Sequence, residues 1–180
     1  MMLNRDRVIE SFHQLGFSPR VEAFEDRILI QKSVLLLQLA GLGTTYPYRL
    51  HIRGPYCVEL NREAFAHHAE FEAPAPRGAL DDRERAIVAA FGETFELRPN
   101  QLEVAATYAY FVSCDGLDHV EAHRRTRKLK SFVPAAQQAL GISRAKRFLY
   151  PPTEEETREM KDEFALWQSA SLRSAGREDE

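Results

Sequence analysis

At 180 residues, with 44% apolar and 28% charged side chains, the chain has the size and mixture of one globular domain that buries a core without metal or disulfide staples. A formal net charge of −3 gives no global attraction to nucleic acid or an anionic membrane, so either would need a local basic patch. The N-terminal stretch is charged where a signal peptide is apolar, and Val34 to Leu37 falls far short of the roughly 20 residues of a membrane span. The expectation is a cytoplasmic protein with no membrane partner, its Cys57 and Cys114 free and buried.

Asn4 is placed to cap a helix over Arg5 to Leu15, apolar at Val8, Ile9 and Phe12. From Phe24 to Ala40 the apolar positions exceed one stripe, predicting a central helix buried around most of its circumference and stopped by Gly41 and Gly43. Tyr46 to Arg53 alternates, which puts Tyr48, Leu50 and Ile52 on the buried face of a short strand. Gly54 then reads as a helix cap and Pro55 as the first helical residue, since proline's missing N–H is not needed there.

Residues 72 to 80, EAPAPRGAL, form a surface loop. Asp81-Asp82 starts a helix to Phe95, with Ile87, Val88 and Phe91 inward. Pro99 opens an alanine-rich helix that permits close approach of a neighbour, and Asp118 caps His119 to Leu129. Val133 to Tyr150 gives one or two helices, with a break expected at Gly141. Thr153 and Glu156 make the capping box of a last helix carrying Met160, Phe164, Trp167 and Leu172 on one side. The sum is a mainly α fold of about seven helices with a short β-strand or hairpin, one compact domain over 1–172, and a frayed tail over 173–180.

Chemistry is sparse. His119 and His123, four apart on a helix, would present two imidazoles to a metal, although the order H-x-E-x-H turns Glu121 away from the pair. The plainer reading is a solvated helix face, and neither a metal nor another cofactor is assigned. Between Asp115 and Tyr150 eight bases oppose three acids. Arg124, Arg125, Arg127, Lys128, Lys130, Arg144, Lys146 and Arg147 form a candidate phosphate-gripping face. The competing reading has cations complementing helix C-termini, neutralised by the last thirty residues with nine acids and four bases. Gly41 to Thr45 lacks the lysine of a phosphate loop, neither cysteine has a histidine placed to activate it, and no catalytic residue is assigned. The stripe containing Trp167 has the spacing of a helix that docks on a partner protein or a second copy in a homodimer, although such a helix more often closes its own domain's core.

One segment carries a family signature. Arg27, Gln31, Lys32, Leu36, Leu37 and Gln38, followed by Tyr48 and by R-G-P-Y-C-x-E-L from Arg53 to Leu60, resemble the YwgA-like proteins and, more distantly, the Panacea (SocA-like) antitoxin domain. Arg53 stands where that family often has Tyr, and Cys57 where it often has Ser. A weaker echo is Leu102 to Tyr110 with Lys130-Ser131-Phe132. The resemblance implies a helical domain with a short β-element and a role in binding another protein, a toxin or a proteolytic client. Its carried-over positions are Gln31, Lys32, Arg53, Gly54, Pro55, Tyr56 and Glu59. Read physically, Gln31 and Lys32 leave the polar edge of their helix, and Lys32 or Arg53 pairs with Glu59 to lock strand to helix.

Overall fold

The structure, a computed structural model, describes residues 3–175, with side chains as far as Ala165. It falls into two compact units, 1–149 and 150–180. The first contains α1 (Asn4–Gln14), α2 (Phe24–Leu39), β1 (Arg49–His51), β2 (Gly54–Tyr56), α3 (Val58–Ala66), α4 (His68–Glu72), α5 (Asp82–Thr94), α6 (Pro99–Ser113), α7 (His119–Leu129) and α8 (Ala135–Leu149). The second contains α9 (Glu154–Ala175). The described residues are thus mainly helical with one antiparallel hairpin, and their nine helices exceed the expected seven.

Two helices organise the first unit. Every residue of α2 from Leu29 to Leu37 is buried, as the all-round apolar pattern predicts. Helix α6 is buried from Gln101 to Ala109 and packs against α2, α7, α8 and β2. The expected break at Gly141 is absent, and α8 runs straight through it. A Cβ at Gly141 would lie 2.9 Å from both Gln101 O and Val104 Cβ, so the residue is where α8 presses on α6. Its missing side chain serves packing, and a glycine inside a helix is tolerated when packing returns its cost of roughly 1 kcal/mol.

Other local signals divide. Asp81 and Glu84 form the capping box of α5, and Glu84 Oε1 also accepts from Gly43 N at 2.8 Å and Arg7 Nε at 2.9 Å. Leu3, not Asn4, occupies the cap of α1, with no side-chain bond there. The strand expected over 46–53 is corrected most. β1 has three residues, all exposed, and Ile52 in the turn is 93% exposed. Gly54 and Pro55 do not start a helix. They form β2, whose register pairs Arg49 with Tyr56, Leu50 with Pro55 and His51 with Gly54. Gly54 has φ +89°, and a Cβ on it would meet Thr107 Oγ1 at 2.5 Å. Glycine is needed there for the hairpin's approach to α6, and α3 is instead capped by Cys57, whose Sγ accepts from Leu60 N at 3.4 Å. Cys57 is buried, whereas Cys114 is exposed, contrary to expectation.

In the second unit Thr153 and Glu156 make the anticipated capping box, with Glu156 N to Thr153 Oγ1 at 3.2 Å and Thr153 N to Glu156 Oε2 at 2.8 Å. Helix α9 continues through the expected start of the tail to Ala175. The side chains of Trp167 and Leu172, on which the docking-helix expectation rests, lie outside the described residues. Among the described residues no helix is long and apolar enough to cross a membrane.

Candidate functional site

Two glutamines on α2 fix the chain that follows it. Gln31 Nε2 donates to Cys57 O at 2.9 Å and its Oε1 accepts from Cys57 N at 2.9 Å. Gln38 does the same one heptad on, donating to Tyr46 O at 3.1 Å and accepting from Tyr46 N at 2.8 Å. Each side-chain amide thereby satisfies the donor and acceptor of one backbone residue, as a neighbouring strand would. Seven residues are about 10.5 Å of helix, so the two clasps hold both ends of the hairpin segment against one face of α2.

The inner edge of that segment is sealed by three side chains in sequence. Alternate carbonyls of an extended chain point the same way. Arg53 O accepts from Lys130 Nζ at 2.9 Å, Pro55 O from Lys32 Nζ at 2.5 Å, and Cys57 O from Gln31. A two-stranded hairpin is marginal alone. Here side chains substitute for a third strand.

This arrangement overturns the expectation that Gln31 and Lys32 emerge at a polar edge. Both are 3% exposed. Lys32 does not pair with Glu59, which is exposed on α3, and Arg53 lies with its guanidinium 5.0 Å from the Phe24 ring centroid. Lys130, assigned to the basic surface, is 0% exposed, and its ammonium is 3.0 Å from Oε1 of Glu103, itself 2% exposed. The buried set is therefore two ammonium groups against one carboxylate. Burial, aided by the neighbouring Lys130 charge and opposed by Glu103, lowers the Lys32 pKa to about 7. Burial also pushes Lys130 down, but its direct ion pair with Glu103 opposes the shift. Lys32 is the group that gives up its proton first.

Above this set opens a cavity of about 540 Å³. Five of the seven carried-over positions line it, namely Gln31, Lys32, Arg53, Gly54 and Tyr56, together with Glu103. Its rim is aromatic and cationic. Phe24 is 51% and Phe65 43% exposed, and the Arg27 guanidinium sits 5.7 Å from one ring centroid and 5.8 Å from the other. Arg27 is itself held by Val21 O at 3.2 Å and Glu22 O at 2.6 Å. Sequence reading missed Phe24, Phe65 and Glu103 as site residues and had Arg27 only as a member of the family signature. Glu103 left a usable signal, a lone acid in the apolar run Leu102 to Ala106, since a buried carboxylate demands a cation.

The remaining candidates separate. Arg124 and Arg125 share Glu121, at 2.8 and 2.7 Å, and the two guanidinium groups hold its carboxyl down to about 2. Arg144 reaches Gln101 at 2.6 Å and Glu96 at 3.0 Å. Six of the eight, Arg124, Arg125, Arg127, Lys128, Lys146 and Arg147, remain exposed, while Arg144 is half-buried and Lys130 buried, so most of the expected basic face is at the surface. His119 Nδ1 meets the Tyr108 hydroxyl at 2.5 Å. No group of three or more metal-binding side chains occurs among the described residues. Comparisons with protein-family models, curated proteins and solved structures yield no match to this chain.

Proposed function

We propose that this protein is a non-enzymatic interaction module, of the antitoxin or proteolytic-adaptor type, that engages a partner protein with the cavity face formed by α2, the hairpin and α3. The observation that carries the reading is the exposed rim of Phe24, Ile52 and Phe65, interleaved with Arg27 and Arg53, around a preformed cavity. Aromatic and arginine side chains at a concave site are the groups that most often dominate binding energy. Their charge complements an apolar segment bearing acidic groups. A buried lysine of lowered pKa is also where a catalytic reading would begin. Here its ammonium is bound into the strand edge through Pro55 O, which supports an anchoring role.

The test is co-expression of the tagged chain with the products of its neighbouring reading frames. The expected result is co-purification of one such protein, at least about tenfold reduced by Ile52→Asp or Phe65→Asp with the fold retained, as expected for loss of a hot spot. Co-purification indifferent to both substitutions, or none at all, would refute the assignment. Capture of nucleic acid instead, lost on replacing Arg127 and Lys128 by Ala, would favour the second reading, a regulator using the remaining exposed cations of α7 and α8.

A further inference from the structure

We infer that the cavity is a receptor for a carboxylate carried on an apolar body, with Lys32 as its anion-binding group and the Phe24 and Phe65 rings as its apolar grip. This rests on the interaction reading and deepens it by naming the group the partner presents. Lys32, Lys130 and Glu103 leave the floor one negative charge short when both lysines are protonated. Burying such an excess is expensive, and a monoanion placed against it restores neutrality. A dianion such as phosphate would overshoot and face Glu103, which also lines the cavity.

The geometry agrees. Pro55 O takes one of the three N–H donors of Lys32, and a carboxylate oxygen can accept from another. The side chain is held from both ends, by α2 and by the strand edge, so little rotamer entropy is lost on binding. The charged and titratable groups facing the floor from surrounding elements are Glu103 from α6, Lys130 after α7, and Arg53, His51 and Tyr56 from the hairpin, with Arg27 on α2 itself. Cations outnumber acids among them. Burial and then the Lys130 charge lower the proton affinity of Lys32, and an incoming carboxylate would return it toward the ordinary lysine range.

The experiment follows Lys32 directly, by NMR of 13C-lysine-labelled full-length protein titrated with 3-phenylpropionate, with 3-phenylpropionamide, and with the blocked peptides Ac-Phe-Asp-NH2 and Ac-Asn-Phe-OH. Saturable binding of the free acid should raise the Lys32 titration midpoint by at least about one unit, meaning tenfold preference for the protonated lysine. The amide should leave it unmoved, and Lys32→Met should abolish saturation. The two peptides distinguish a side-chain carboxylate from a chain-end carboxylate, and a response to either supports the site. Equal response to acid and amide, or no response of Lys32 to any of the acids, would overturn it. Phe24→Ala, at an exposed position, gives a second variant that should weaken binding without touching the fold. Should the acids fail while Ile52-dependent capture persists, the carboxylate receptor falls and the interaction reading stands; the reverse outcome separates them the other way.

Discussion

Gln31 is the residue whose chemistry is most completely used. Its amide meets both polar groups of Cys57, and its own carbonyl accepts from the Tyr48 hydroxyl at 2.9 Å. Replacing it by Met keeps the volume but strands a buried N–H and a buried C=O. Leaving such groups unpaired costs about 1–3 kcal/mol each, so Gln31→Met should lose about 2–6 kcal/mol in urea denaturation. A loss under about 1 kcal/mol would show that the clasp is ornamental. The hydroxyl of Tyr48 is pushed well above the ordinary tyrosine range by burial, and that of Tyr46, which donates to Glu63, is raised by burial and by that bond. Both stay neutral donors wherever the protein is folded and near neutral pH.

At the level of elements, α6 and α8 provide a sharp contrast between propensity and packing. Helix propensity alone predicts that Gly→Ala stabilises a helix by about 1 kcal/mol. At Gly141 the new methyl would strike the Gln101 carbonyl and Val104, both at 2.9 Å, so Gly141→Ala should instead cost about 1–3 kcal/mol. Gly92 in α5 is the control. Its added Cβ would meet only the end of the Leu15 side chain, at 3.1 Å, and Gly92→Ala should be neutral or stabilising. Equal thermal shifts for the two variants would contradict the packing explanation. The helices were largely legible because their signals are local: the apolar excess of α2, Asp81 and Glu84 for α5, Pro99 for α6 and Asp118 for α7. The hairpin was legible as a short β-element but not in its extent or its second strand, which was read as a helix start. Its residues alternate weakly, expose Leu50 and Ile52, and are held by Gln31, Lys32 and Lys130, which lie on other elements. Neither periodicity nor capping rules report a strand edge sealed by distant side chains. The site was legible as a set of carried-over positions, but the partners of Lys32 appear only once α6 and the end of α7 are folded against it.

Across the whole molecule the buried lysines set the response to pH. Lys32 has its proton affinity lowered to about 7 by folding, against 10.5 for an ordinary lysine, and Lys130 is shifted in the same direction. Between these limits the unfolded chain binds more protons than the folded one, so stability should rise as pH increases from about 7 toward 9. The gain disappears as pH falls through 7, where folded Lys32 takes up its proton. Above about 9 the trend should flatten, because the thiols of Cys57 and Cys114 and the buried tyrosine hydroxyls are shifted upward and oppose it. Urea midpoints measured across this range would reveal the slope, and Lys32→Met should remove most of it. A flat profile in the unmodified chain would mean that Lys32 remains charged in the folded state.

The bond from Lys130 to Arg53 O joins residues 77 apart in the chain, and it imposes an order in time. During synthesis at about 5–20 residues per second, the hairpin waits roughly 4–15 s for the side chain that completes its edge. The cavity's floor is consequently complete only once the chain has been made through Lys130. A nascent fragment that displays Gln31, Lys32 and the hairpin, but has not yet delivered Glu103 and Lys130, would lack the proposed receptor. On the proposed reading, partner engagement would be confined to molecules in which Lys130 has already reached Arg53.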